Sequence, residues 1–158
     1  MIGKRSVLFI CTANQCRSPM AEALMKEHLR KMGLENRIVV RSAGTWAEDG
    51  HPATSFGIKA MAERGLDTSR HRSQSLTAEL INQFDLVLTM ESGHKEAIQI
   101  EFPDYADKVF MLSEMASQSK NIEDPIGGSF EDYQETATEI DEWISSGFTN
   151  IINFLLPK

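Results

Sequence analysis

Val7-Leu8-Phe9-Ile10-Cys11-Thr12-Ala13-Asn14-Gln15-Cys16-Arg17-Ser18-Pro19-Met20 begins as a strand and ends as a helix. Val7 to Ile10 are apolar and rich in β-formers, which predicts a short buried strand. Ser18-Pro19 predicts a helix start, with a hydroxyl at the N-cap and proline at the first helical position. Only Thr12 to Arg17 lie between Cys11 and that cap. A strand that turns so tightly into a helix leaves backbone N–H groups pointing into the turn, and the helix dipole adds positive potential there. The expected result is an anion cradle with a cysteine at its entry and an arginine at its exit.

The positive end of a helix and a neighbouring guanidinium favour the thiolate form of a cysteine, which is its nucleophilic form. Arg17 carries a planar fork of donors that suits two oxygens of a phosphate. Together they predict a Cys11 nucleophile beneath a bound phosphoryl group, with the loop amides and Arg17 stabilising the equatorial oxygens in the transition state. Taken alone, Cys11 reads as a buried structural cysteine and Arg17 as a surface charge. The order strand, Cys-x5-Arg-Ser-Pro, helix favours the chemical reading.

Cys-Thr-Ala-Asn-Gln-Cys-Arg-Ser-Pro resembles the active-site loop of the low-molecular-weight protein-tyrosine phosphatase family. Arg41-Ser42-Ala43-Gly44, Ser69-Arg70-His71-Arg72 and Asp124-Pro125 match the family further along, so the resemblance covers nearly the whole chain. It implies one domain over residues 1–158, with a four-stranded parallel sheet of order 2-1-3-4 and helices on both faces. It implies a phosphorylated protein as partner and a phosphate or similar oxyanion in the loop formed by Thr12, Ala13, Asn14, Gln15 and Cys16. It also implies that Asn14, Ser18, Ser42 and His71 hold that loop in shape, that Ser18 hydrogen-bonds the thiolate, and that Asp124 is the general acid and base. Alone, Asp124-Pro125 is a common turn; its place in a long loop after the last strand and before the last helix favours the acid. No cofactor is implied.

Composition sets the outer limits. A chain of 158 residues that is 41% hydrophobic and 25% charged is large enough for a real core. A net charge of −7 argues against nucleic acid as a partner and makes any attraction for an anionic substrate local. No apolar run approaches the roughly 20 residues that span a bilayer, and Lys4-Arg5 before Val7–Cys11 is too short for a signal peptide. The expected location is the cytoplasm. Two cysteines exclude a disulfide scaffold, and the four histidines are scattered without ligand spacing, so no metal site is expected.

The rest of the chain alternates strands and helices. A helix is predicted from Ser18 to about Met32, with Ala21, Leu24, Met25, His28 and Met32 on its stripe, His28 being a packed or partly exposed side chain rather than a ligand. Ile38–Val40 is the second strand. Trp46, just past its end, reads either as a wall of a substrate pocket or as a surface tryptophan over the sheet. Ser55–Arg64 is a helix with Ile58, Met61 and Ala62 inward, and Thr77–Gln83 a short one. Asp85–Met90 is the third strand. Ser92 is the expected cap of a helix to about Glu101. Lys108–Leu112 is the fourth strand, and Ser113–Gly128 a long polar loop. Ser129–Leu156 closes the chain as a helix that Gly147 interrupts. The family shows the Cys11 and Cys16 pair, which implies a reversible disulfide protecting an oxidation-prone thiolate.

The chain departs from the family at three places. Ala13 replaces a frequent glycine. Gln15 stands where tyrosine-specific members carry an apolar residue. Ile126-Gly127-Gly128 stands where many members carry two tyrosines that flank the substrate ring. Asp-Pro-x-Gly-Gly-Ser is similar to a bacterial subgroup that includes protein-arginine phosphatases, which have threonine at the position of Gln15. Phosphotyrosine is the leading substrate, phosphoarginine the alternative. Arsenate reduction with an external thiol and a non-catalytic phosphate-binding role are the remaining alternatives.

Overall fold

The computed structural model describes residues 4–158. Four strands, β1 (Arg5–Cys11), β2 (Ile38–Gly44), β3 (Leu86–Thr89) and β4 (Val109–Met111), form one parallel sheet of order β2-β1-β3-β4. The order 2-1-3-4 is the one the resemblance implies. Parallel neighbours need crossovers. These are supplied by α1 (Arg17–Lys31), by α2 (Ser55–Ala62) and α3 (Ala78–Asn82), and by α4 (Ser92–Glu101), while α5 (Phe130–Leu155) closes the chain.

β1 is central, and side chains alternate across it. Val7, Phe9 and Cys11 enter a core shared with α1 and α5 (Met20, Leu24, Ile140, Ile144), whereas Leu8 and Ile10 enter the opposite core with Ile81 of α3 and Ile98 of α4. Val7 to Ile10 are all fully buried, and each contributes roughly 1.5–3 kcal/mol of transfer free energy. A strand covered on both faces therefore places its last residue, Cys11, at the sheet's carboxyl edge beside Gly44 of β2. That edge, where strand order reverses, is where open α/β sheets bind ligands.

Several boundaries differ from expectation. α1 starts at Arg17, with Cys16 at the N-cap and no side-chain cap, so Ser18 lies inside the first turn. The Ser18 hydroxyl is drawn away to Cys11 and Asn14 of the loop. On the same helix Leu29 is buried and Met32, past its end, is 63% exposed. In α2, Ala60 and Met61 face inward while Ala62 is exposed, and the Thr54 side chain caps the helix by accepting the Gly57 N–H. The cap of α4 is Glu91, not Ser92. The polar loop starts with a 3-10 turn, Leu112–Ala116. α5 runs unbroken through Gly147, and a Cβ there would lie 2.7 Å from Met115 Cβ. This glycine lets the 112–116 turn seat against the helix rather than ending it. Among the described residues no helix is long and apolar enough to cross a membrane.

Candidate active site

Residues 11–17 curl between the end of β1 and the start of α1. Asn14 is the pivot. Its φ of 57° lies in the left-handed region that asparagine tolerates, and Ala13 keeps a negative φ. The Asn14 side chain is fully buried and fully engaged: Nδ2 donates to Ser18 Oγ and to Ser42 Oγ, each at 2.9 Å, and Oδ1 accepts the Gln74 N–H at 2.9 Å. His71 Nε2 donates to the Asn14 carbonyl at 2.6 Å, which fixes that nitrogen as the protonated one. Ser42 Oγ passes the chain on, donating to Glu22 Oε1 of α1 at 2.7 Å. The structure thus brings Asn14, Ser18, Ser42 and His71 together, with Glu22 and Gln74 as two further members that sequence reading missed.

Because Ser18 Oγ accepts from Asn14, its own proton is free for Cys11 Sγ, 3.0 Å away. That hydrogen bond aims a donor at the sulfur from the first turn of α1. The loop's first residues are also fixed from outside. Trp46 N–H donates to the Thr12 carbonyl at 2.9 Å and Thr45 N–H to the Cys11 carbonyl at 3.0 Å. Gly44 is needed there: a Cβ would run into the Thr12 carbonyl and come within 2.8 Å of Ala47 Cβ.

Arg17 is 1% exposed, the largest fully buried side chain in the protein. Its Nη1 donates to the Glu91 carboxylate and to the Ile122 carbonyl (2.6 Å), and Nη2 lies 3.6 Å from Asp124 Oδ2. Its Nε is buried with no partner among the described residues. An unpaired buried guanidinium donor is costly, and an oxyanion in the loop would satisfy it. Asp124 also accepts the Ile126 N–H through Oδ1 at 3.1 Å, which leaves the carboxyl at the rim, half exposed and next to Arg17. Among the described residues no cluster of His, Cys, Asp or Glu is suited to a metal ion.

This cup at the end of β1 has counterparts in known proteins. The family model described as low molecular weight phosphotyrosine protein phosphatase matches residues 6–152. The chain belongs to that family. The protein-arginine-phosphatase of Bacillus subtilis (strain 168) is 42% identical over 137 residues, covering 86% of this chain and 89% of that protein. The probable low molecular weight protein-tyrosine-phosphatase EpsP of Ralstonia solanacearum is 40% identical over 121 residues, covering 77% and 78%. Among solved structures, a cysteine-to-serine mutant of YwlE arginine phosphatase with a phosphorylated active-site serine aligns with a TM-score of 0.87 and 38% identity, covering 94% of this chain and 95% of that one.

In this low molecular weight phosphatase the rim residues are arranged as follows. Gln15 Nε2 donates to the Pro52 carbonyl at 3.3 Å. Trp46 is 84% exposed and Ile126 62% exposed. Cys11 and Cys16 are both free and buried. Burial, then the charges of Asp124 and Cys11, push the Cys16 thiol up to about 12. A thiol that keeps its proton is a slow partner for disulfide formation. In a Cys11→Ser variant at pH 8, Cys16 should therefore resist iodoacetamide while the protein is folded and react on unfolding. Mass spectrometry before and after denaturant reads this directly.

Asn14→Ala should destabilise this phosphatase by roughly 3 kcal/mol, combining left-handed strain with the loss of three buried hydrogen bonds. Asn14→Gly should recover about 1 kcal/mol of it, the strain alone. Denaturant unfolding of the pair separates the two contributions.

Proposed function

We propose that the protein hydrolyses phosphotyrosine in protein substrates through a cysteinyl-phosphate. The carrying observation is the Cys11 sulfur held by the Ser18 hydroxyl inside a loop whose buried Arg17 retains an unpaired Nε. The Cys11 thiolate attacks phosphorus; an S–P bond forms as the P–O bond to the phenol breaks, and Asp124 gives its proton to the departing oxygen. Asp124, now ionised, takes a proton from water attacking the cysteinyl-phosphate, and the S–P bond breaks to return the thiolate, which Ser18 stabilises. Loop amides and Arg17 bear the charge of the equatorial oxygens throughout. The phosphorylated active-site serine of the YwlE mutant supports a covalent step at this position.

The exposed Trp46 and Ile126 supply apolar surface near the loop that suits an aromatic ring. A phosphoarginine reading is favoured by a specific observation, the 42% identity to a protein-arginine-phosphatase. Gln15, tied to Pro52, is neither the threonine nor the apolar residue that would distinguish the two. The test is phosphate release by reduced protein from phosphotyrosine peptides and phosphoarginine protein in parallel, with Cys11→Ser as the blank. Faster release from phosphotyrosine supports the first reading, and faster release from phosphoarginine replaces it with the second. No release from either removes both.

A further inference from the structure

The first turn of α4 is absent from the reaction just described, yet it touches both ends of the phosphate loop. Glu91 and His94 form a reciprocal cap: the Glu91 carboxylate accepts the His94 backbone N–H, and His94 Nδ1 accepts the Glu91 backbone N–H at 3.2 Å. The same two side chains then reach across to the loop. Glu91 holds Arg17, the loop's last residue, and His94 Nε2 lies 2.9 Å from Thr12 Oγ1, beside the nucleophile. An imidazole whose Nδ1 accepts a backbone N–H carries its proton on Nε2, so Thr12 Oγ1 is the acceptor and its own hydroxyl proton is turned elsewhere. Thr12 is exposed, which leaves that proton free to turn toward an anion in the loop.

We propose that His94 is a positioning residue: through Nε2 it fixes the Thr12 hydroxyl as an additional donor to the bound phosphoryl group, and through the shared cap it locks this donor to the Arg17 guanidinium. The phosphoryl ligand is taken from the proposed function above; the hydrogen-bond chain itself is not. His94 is 7% exposed, with Glu91, Arg17 and Asp124 as the charged groups around it. Burial, and next the positive charge of Arg17, lower its pKa, which keeps the imidazole neutral at neutral pH and the tautomer intact. A neutral donor suits this place. It orients Thr12 without adding a cation that would compete with Arg17 for Glu91 and Asp124.

The two amide substitutions divide the histidine's functions. His94→Asn keeps an acceptor near the Nδ1 position for the Glu91 N–H but cannot reach Thr12; His94→Gln keeps a donor near the Nε2 position. The probe is inorganic phosphate, titrated calorimetrically into the reduced protein, so that the result does not depend on turnover of any substrate. His94→Asn and Thr12→Val should each weaken phosphate binding about tenfold, the value of one hydrogen bond to a charged group. The double variant should be no weaker than either alone, because both remove the same contact. His94→Gln should restore binding to within about threefold of the unmodified protein. Unmodified affinity in His94→Asn, or independent losses that multiply to about a hundredfold in the double variant, would overturn the proposal. Should His94→Asn fail to fold, Thr12→Val and His94→Gln decide it: tenfold loss in the first with retention in the second supports it, and anything else refutes it. Tight phosphate binding without release from either phosphorylated substrate would sink the proposed function and leave this inference standing.

Discussion

Cys11→Ser should lower kcat/KM on phosphorylated protein by roughly a hundred-thousand-fold or more, the scale on which loss of a covalent nucleophile is felt. The exchange replaces one atom in a 3%-exposed side chain at the end of a fully buried strand, so the cup around it persists. Asn14 still holds Ser18 and Ser42, and Arg17 still has Glu91 and Ile122. A serine hydroxyl is far less acidic than a thiol, and neither the helix N-terminus nor the Ser18 hydrogen bond makes up that difference. Phosphate binding should survive within a few-fold while turnover disappears. Stopped-assay phosphate release and calorimetry on the same preparation check the two halves. Residual activity within tenfold of the unmodified protein would remove Cys11 from the nucleophile's role.

Asp124→Asn should slow release of phosphate from phosphotyrosine by roughly a hundred- to ten-thousand-fold, the usual span for losing a positioned proton donor. An aryl phosphate with a strongly acidic phenol should be affected far less, because its leaving group departs without a proton. The amide is the informative replacement. Its oxygen still accepts the Ile126 N–H that shapes the 124–128 turn, so a uniform collapse of the loop is avoided. The ratio of the two substrates' losses is the readout. Equal losses on both would show that the variant disturbs phosphate binding next to Arg17; no loss on either would assign the proton transfer to another group.

How much of this site could be read in the sequence depended on how local the contacts are. Cys11, Asn14, Arg17 and Ser18 lie within one short loop, where a strand-to-helix turn dictates their surroundings. Ser42 and His71 came only through resemblance to a family, and they converge on Asn14 from 28 and 57 residues away. Glu91 and His94 were missed altogether. They lie more than seventy residues from the loop, and in sequence Glu91-Ser92-Gly93-His94 reads as an ordinary helix start. Ser92 is the better cap by residue type, but Glu91 has the partner across the fold. The same competition moved the start of α1. Ser18 has the hydroxyl and Pro19 the ring expected at a helix start, yet Asn14 and Cys11 claim that hydroxyl, and the helix begins at Arg17 without it. Met32 was expected on the buried stripe of α1, but the helix ends at Lys31 and the chain turns at Gly33, leaving it in solvent. Tertiary partners outweigh residue preference at each of these positions.

The missing cap of α1 has a thermodynamic corollary. A helix whose first turn finds no side-chain acceptor leaves donors that an anion in the loop can satisfy, and the anion then belongs to the fold as much as to the chemistry. Folding and occupancy become linked equilibria. Each tenfold rise in free phosphate above its dissociation constant deepens the native well by about 1.4 kcal/mol. Phosphate seated in the cup would then block it and stiffen the same turn at once. Activity and resistance to unfolding would then trade against each other through one small metabolite.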